Sequence, residues 1–265
     1  MVKRYSDFQS FRQDAEAAKA AGRARLARAD EWYGYESFDA ALSKSLHGDD
    51  STTDKAIALL DKLDTPDTLT RRSITVHSPY GGRVNFSDWM HDSPTPMRRR
   101  RRTDLDTAPI TIYVSTTSSC AVSAQQILNR GIAILALLLK IQQFRPVDLV
   151  LYTDLDGRDD GSTHLLIPIE SRPLNLSTAA YCLTSAGYDR HLTHSIGRYL
   201  NRFNGGWAHE FQMGSSAYID TLRKRFSASP DDIFVPSIYI YDQLLTRPVE
   251  WINKQLEILG AVEPD

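Results

Sequence analysis

Five consecutive arginines, Arg98 to Arg102, follow Pro94 and Pro96 in the segment PTPMRRRRRTDLD. Guanidinium groups at that density suit phosphate, because each planar fork can donate two parallel hydrogen bonds to one oxyanion pair. The surrounding stretch adds Arg71, Arg72 and Arg83, interleaved with Tyr80, Phe86 and Trp89. Basic groups that follow a phosphate backbone, beside aromatic faces on which bases stack, are the ingredients of single-stranded nucleic-acid binding. The bland alternative is a solvated charge run, or a clamp for Asp104 and Asp106. Against it stands the self-repulsion of five adjacent like charges, in a chain of net charge −2, when no anion offsets them. The candidate nucleic-acid-binding residues are therefore Arg71, Arg72, Arg83, Phe86, Trp89, Arg98, Arg99, Arg100, Arg101 and Arg102. Phe86 and Trp89 are the stacking candidates.

Other stretches offer other chemistries. Ser115-x-Thr117-x-Ser119 stands between an apolar run and a helical pattern, with the spacing of the Asp-x-Ser-x-Ser metal loop of von Willebrand factor A-like domains. A divalent cation there needs the oxygens and charge of a carboxylate, which Ser115 lacks. Hydroxyls that cap the helix and close a tight loop are the alternative. Asp154-Leu155-Asp156 has the form of the Asp-x-Asp element that holds a metal and a sugar nucleotide, and the alternative is an acidic, solvated loop tip. His191 and His194 can share a helix face, with Cys182 or His209 as further zinc ligands, but the spacing of a zinc site is missing. No nucleophile elbow, Walker loop or dinucleotide fingerprint is present. No catalytic residue, metal or cofactor is expected.

The elements that must position these residues follow from patterning. The 265 residues suffice for a sizeable core, and 42% hydrophobic with 24% charged residues is ordinary for a globular chain. Two cysteines, Cys120 and Cys182, are too few for a disulfide framework and suggest a reducing setting. No stretch has the length of a membrane span, so a soluble protein without a membrane partner is expected. Residues 6–29 are predicted as a helix capped by Ser6, with Phe8, Phe11 and Ala15 at helical spacing. Further helices are predicted from Ser37 to Leu46, ended by Gly48, and from Asp54 to Leu63. Residues 1–70 thus read as a helical N-terminal extension, and residues 71–108 as an irregular basic hairpin and loop region turning at Gly81-Gly82. Residues 109–265 read as an α/β core. The strand PITIYVS, a long apolar helix from Ala124 and the strand VDLVLYT form a βαβ crossover, with HLLIPIE as a third strand. Helices at 177–187, 189–203 and 215–226, a strand in IFVPSIYIY and a helix from Val249 to Leu259 complete it. The fold class expected is α/β, three-layered, with a mostly parallel sheet.

Three stretches together resemble a family of tailed-bacteriophage proteins with a degenerate von Willebrand A-like domain. The first is Trp32 to Leu42 followed by Gly48. The second runs from Gly82, Val84 and Asn85 through Trp89 and Met90 to Pro94, Pro96 and Met97. The third contains Val122, Ser123, Ala124, Ile127, Arg130, Gly131, Ala133 and Leu137. The resemblance implies a metal-free α/β domain, a phage origin, residence in the host cytoplasm and a non-catalytic role. A weaker resemblance links the chain to the single-stranded-DNA-binding RNA polymerase cofactors of N4-like phages. The expectation is a phage-encoded, non-enzymatic protein that binds single-stranded DNA and assists viral transcription or replication. Phage RNA polymerase and a second copy of the chain are further candidate partners. A protein-interaction or virion assembly component is one alternative, and a metal-dependent sugar-nucleotide enzyme using Asp154 and Asp156 is another.

Overall fold

The computed structural model describes residues 2–24, 30–60, 73–80, 82–91, 93–102, 109–119, 121–143, 145–155, 163–170, 174–200, 216–237 and 242–259. Of residues 60, 73–76, 99–102, 216, 217 and 258 it describes the backbone alone. Contacts gather the chain into a large unit, residues 1–64 with 109–265, and a small unit, residues 65–108.

The large unit begins with a strand that patterning did not predict, β1 (Val2–Arg4), and the helix α1 (Phe8–Ala20). Asp7, not Ser6, caps α1, its carboxylate accepting from the Ser10 amide at 2.7 Å. The helix stops at Ala20, because Gly22 turns the chain with a left-handed φ of 66°; residues 25–29 of the predicted helix lie outside the described residues. The helix α2 (Phe38–His47) is capped by Ser37 and ended by Gly48, as the sequence indicates. Gly48 has φ 76°, and a Cβ there would lie 2.3 Å from that of Ser177, so both backbone and packing require glycine. The helix α3 (Thr53–Leu60) follows.

The small unit holds the arginine run. Its strand β2 (Ser73–Ser78), two-residue strand β3 (Arg83–Val84) and short helix α4 (Phe86–Met90) lead to the strand β4 (Met97–Arg102). The sheet order is β2-β4-β3, with β4 antiparallel to both neighbours. Two corrections follow. The arginines form the central strand of a sheet and not a loop. β2 and β3 also run in the same direction, so they cannot be the hairpin expected around Gly81-Gly82; β4 enters between them. An unbroken run of one residue type has no period to betray a strand. The backbone partners along Ser73–Ser78 make it one.

In the remaining chain, β5 (Ile110–Ser115), α5 (Ala124–Gln142) and β6 (Val147–Leu155) form the predicted βαβ unit, with Ile110 opposite Val147 and Ser115 opposite Tyr152 in parallel register. The next strand, β7 (Thr163–Ile169), pairs antiparallel with β6, because residues 156–162 are too few for a crossover. There follow α6 (Leu176–Thr184), a π-helical segment (Tyr188–Thr193), α7 (His194–Tyr199), α8 (Ser216–Phe226), β8 (Ile233–Val235), α9 (Gln243–Thr246) and α10 (Pro248–Ile258). The sheet order is β1-β7-β6-β5-β8, and β1 and β7 run against the other three strands. The protein is thus α/β, with a mixed five-stranded sheet and a second, small one.

The larger sheet is covered on both faces. On one face Ile112, Val114, Leu149, Leu151 and Leu165 pack with the apolar residues of α5. Phe11, Ala15, Phe38, Ala41 and Ala56 belong to that same core, so α1 to α3 are part of the body and not an extension. Gly131 lets α5 and α6 approach closely, since a Cβ there would stand 2.3 Å from the Leu183 carbonyl oxygen. On the other face Tyr113, Tyr152, Leu166 and Phe234 pack against Leu222 and Phe226 of α8. Among the described residues α5 alone is long and apolar enough to cross a membrane, and here it is a core helix.

Candidate functional site

Several of the described side chains of the small unit face solvent. Arg83 and Arg98 are exposed, as are Tyr80 (78%), Phe86 (68%) and Trp89 (56%). Arg98 stands opposite His77 on β2 and Arg83 on β3. The rings of Phe86 and Trp89 lie 5.6 Å apart at 47°, one helical turn from each other on α4. His77 Nδ1 lies 2.7 Å from Asp88 Oδ2, and Asn85 donates to the same carboxylate. The Asn85 amide also donates to the Pro96 carbonyl at 2.7 Å, fixing the start of α4 beside the start of β4. Of the predicted contact residues, Arg83, Phe86, Trp89 and Arg98 to Arg102 thus occur within one small sheet-and-helix unit. Arg71 and Arg72 lie outside the described residues.

Composition separates this unit from the rest. Residues 65–108 contain eight arginines, no lysine and five aspartates, a formal charge of +3. The whole chain is −2, so the large unit carries −5. Paired cations of one sign on an exposed sheet leave their donors available to an anion.

At the carboxyl edge of β5 the hydroxyls are used internally. Thr116 Oγ1 lies 2.6 Å from Thr153 Oγ1, Ser115 Oγ accepts from the Thr117 amide at 3.3 Å, and Thr117 Oγ1 accepts from the Asp154 amide at 3.4 Å. They close the loop, while the helix cap is Ser123, in a reciprocal capping box with Gln126. Arg130, 3% exposed, donates from Nη1 to the Ser115 carbonyl and from Nη2 to the Pro236 carbonyl, both at 2.8 Å. It ties the ends of β5 and β8 together. Burial pushes its pKa down to about 10, which leaves it charged at neutral pH and repelling any cation at this edge. Arg190, 1% exposed, donates to the carbonyls of Trp32 and Val122 and stacks 4.3 Å over the Trp32 ring.

Asp154 is likewise engaged. Its Oδ2 accepts from the Tyr218 hydroxyl at 2.5 Å and lies 4.0 Å from Nε2 of the fully buried His164. That hydrogen bond engages one of the two carboxylate oxygens that a divalent cation would use; Asp156 lies outside the described residues. His191 stacks on Tyr33 at 4.3 Å, with Nε2 2.8 Å from the Glu36 carbonyl, and His194 lies beside Trp32. No group of three metal-ligating side chains occurs among the described residues. A groove of about 340 Å³ in the large unit is lined by Glu31, Glu36 and Asp49, a charge sign that disfavours phosphate.

The family model for a domain of unknown function, DUF7192, matches residues 1–261. The chain belongs to this family. Neither a curated protein nor a solved structure matches it. In this DUF7192 chain the residues missed by sequence reasoning are the buried Arg130, Asp189 and Arg190 and the half-buried Tyr218. Arg130 stands one position before Gly131 in an apolar helix, the one signal that marked it: a charge on a face that must be buried.

Proposed function

We propose that the protein is a phage-encoded, non-enzymatic binder of single-stranded nucleic acid that acts in viral transcription or replication, with the small unit as its contact surface. The observation that carries this reading is the central position of the arginine strand in its sheet, with Arg83 and Arg98 exposed and the exposed Phe86–Trp89 pair on the helix that precedes it. Cations are thereby available to phosphates and rings to bases, the two contacts by which single strands are held without sequence preference. The exclusive use of arginine in residues 65–108 adds bidentate geometry. The tailed-phage resemblance supports the viral setting, the host cytoplasm and RNA polymerase as a partner, and it supports a metal-free von Willebrand A-like large unit as scaffold. The internal engagement of Asp154 and the buried guanidinium of Arg130 favour a non-catalytic carboxyl edge.

Titrating the full chain with a labelled single strand and with its duplex, at low and at moderate salt, tests this. Tighter binding to the single strand, weakened steeply by salt, is expected. Absence of binding at low salt, or preference for the duplex, would overturn it.

A further inference from the structure

Three donors of the small sheet stand in one row. Arg98 of β4 is directly opposite His77 of β2 on one side and Arg83 of β3 on the other. Directly opposite residues project to the same face, with Cβ atoms about 5 Å apart. All three side chains are exposed. Neither the Arg83 nor the Arg98 guanidinium has a hydrogen-bond or ion-pair partner among the described residues. Two like charges directly opposite each other destabilise a sheet. An oxyanion between them turns that repulsion into attraction, since a phosphate accepts from two guanidinium forks at once.

His77 differs from its neighbours in being held. Its Nδ1 lies 2.7 Å from Asp88 Oδ2, an oxygen that also accepts from the Asn85 side-chain amide. An ionised carboxylate only accepts, so Nδ1 carries a hydrogen and donates it. Nε2 is the ring's other polar atom: it accepts in the neutral ring and donates in the imidazolium. Among the described residues the charged groups facing His77 are Asp88 on α4 and Arg98 on β4, with Arg83 one strand beyond. Together with a neutral His77 these groups sum to a formal +1, and with a protonated one to +2. Histidine changes charge between about pH 5 and 8, whereas a phosphodiester stays ionised throughout.

The helix α4 links this row to the rings. Asp88 lies next to Trp89 and two residues from Phe86, so its contact with His77 ties the exposed ring pair to the same end of the sheet.

We infer that Arg83, Arg98 and His77 form a single phosphodiester clamp: the two arginines grip one phosphate between them, and His77 adds a donor when protonated. The inference rests on the reading above and deepens it, because one phosphate of the bound strand acquires a defined site and acid tightens it.

Anisotropy titrations of the full chain with oligo-dT carrying a pH-insensitive label, across a salt series at about pH 6 and about pH 8, test the clamp. At the higher pH, Arg83→Ala/Arg98→Ala should lose about 0.7 from the slope of log affinity against log salt, the value for one phosphate of a single strand, although two charges are removed. A loss of about 1.4 would mean that the two arginines take different phosphates, and no loss that they take none; either overturns the clamp. The wild-type chain should bind about fourfold more tightly at the lower pH in low salt, the effect of one added charge about 5 Å from a phosphate in water. His77→Gln should abolish that difference, and His91→Gln, in the same unit, should keep it. No pH difference, or one that survives His77→Gln, overturns the part given to His77. Thermal melts accompany every variant; should the alanine pair fail to fold, the glutamine pair replaces it. All these failures leave single-strand binding standing. A wild-type chain that ignores oligo-dT at both pH values, or binds anionic phosphatidylserine vesicles in its place, sinks the underlying reading and the inference with it.

Discussion

Arg130 and Arg190 in the large unit and Arg83 and Arg98 in the small one carry the same guanidinium into opposite situations. The first pair is buried, and its donors end on the carbonyls of Ser115, Pro236, Trp32 and Val122. The second pair is exposed on a sheet whose unit has a formal charge of +3, against −5 for the rest. Arginine in itself announces no ligand. A buried guanidinium organises its own backbone: its hydrogen bonds satisfy carbonyls that would otherwise be unpaired, and those bonds offset part of the cost of desolvating the charge. An exposed one keeps its fork for something outside.

The contrast can be broken or sharpened by measurement, and the largest effect should come from the buried set. Arg130→Ala removes the donors of two carbonyls and opens a hole between β5 and β8. It should cost about 3–5 kcal/mol of unfolding free energy in a denaturant titration, with oligonucleotide affinity little changed at temperatures where the variant is folded. A loss below about 1 kcal/mol would mean that water replaces the guanidinium and that the clamp is dispensable. Gly131→Ala, one residue on, forces a methyl into the Leu183 carbonyl and should cost about 1–3 kcal/mol by the same titration.

Smaller effects follow. Ser123→Ala removes one half of the capping box and should cost about 1 kcal/mol, read as a lower midpoint with an unchanged m-value. Arg98→Ala and Trp89→Ala should each leave stability within about 0.5 kcal/mol, because neither side chain is buried. Trp89→Ala should nonetheless weaken oligo-dT binding at least about fivefold, the lower end of what one stacked base contributes. If these exposed positions proved as costly to stability as Arg130, the division between the two arginine sets would fail. Cys182 supplies a last check on the large unit. Burial pushes its thiol pKa up and keeps it protonated, so peptide mapping after iodoacetamide should find it labelled only in unfolded protein.

Legibility from sequence differed by region for physical reasons. The βαβ unit was plain, because Ile110–Ser115 and Val147–Leu155 are apolar runs of strand length around a helix with an apolar surface. Caps at Ser37 and Gly48 were equally plain, being local side-chain and backbone chemistry. The three-residue β1 was invisible, since its parallel pairing with β7 joins Val2 to His164 across most of the chain. β4 was missed because five identical residues have no alternation, although their partners in β2 do. The clustering of arginines with Phe86 and Trp89 was legible. The strand pairing of the arginines was not, because it depends on partners in β2 and β3.

What the sequence by itself determined is therefore the inventory: an α/β core with local caps, a charge-segregated basic segment and the absence of a recognisable catalytic motif. Composition and short-range periodicity suffice for each of these. Tertiary structure alone decided which charges are available. Strand pairing put Arg98 at the centre of a sheet beside His77 and Arg83, and core packing closed Arg130 over the carbonyls of Ser115 and Pro236. Both outcomes rest on contacts between residues far apart in the chain, where the backbone partner and the surrounding dielectric are set by the fold and not by the neighbouring letters.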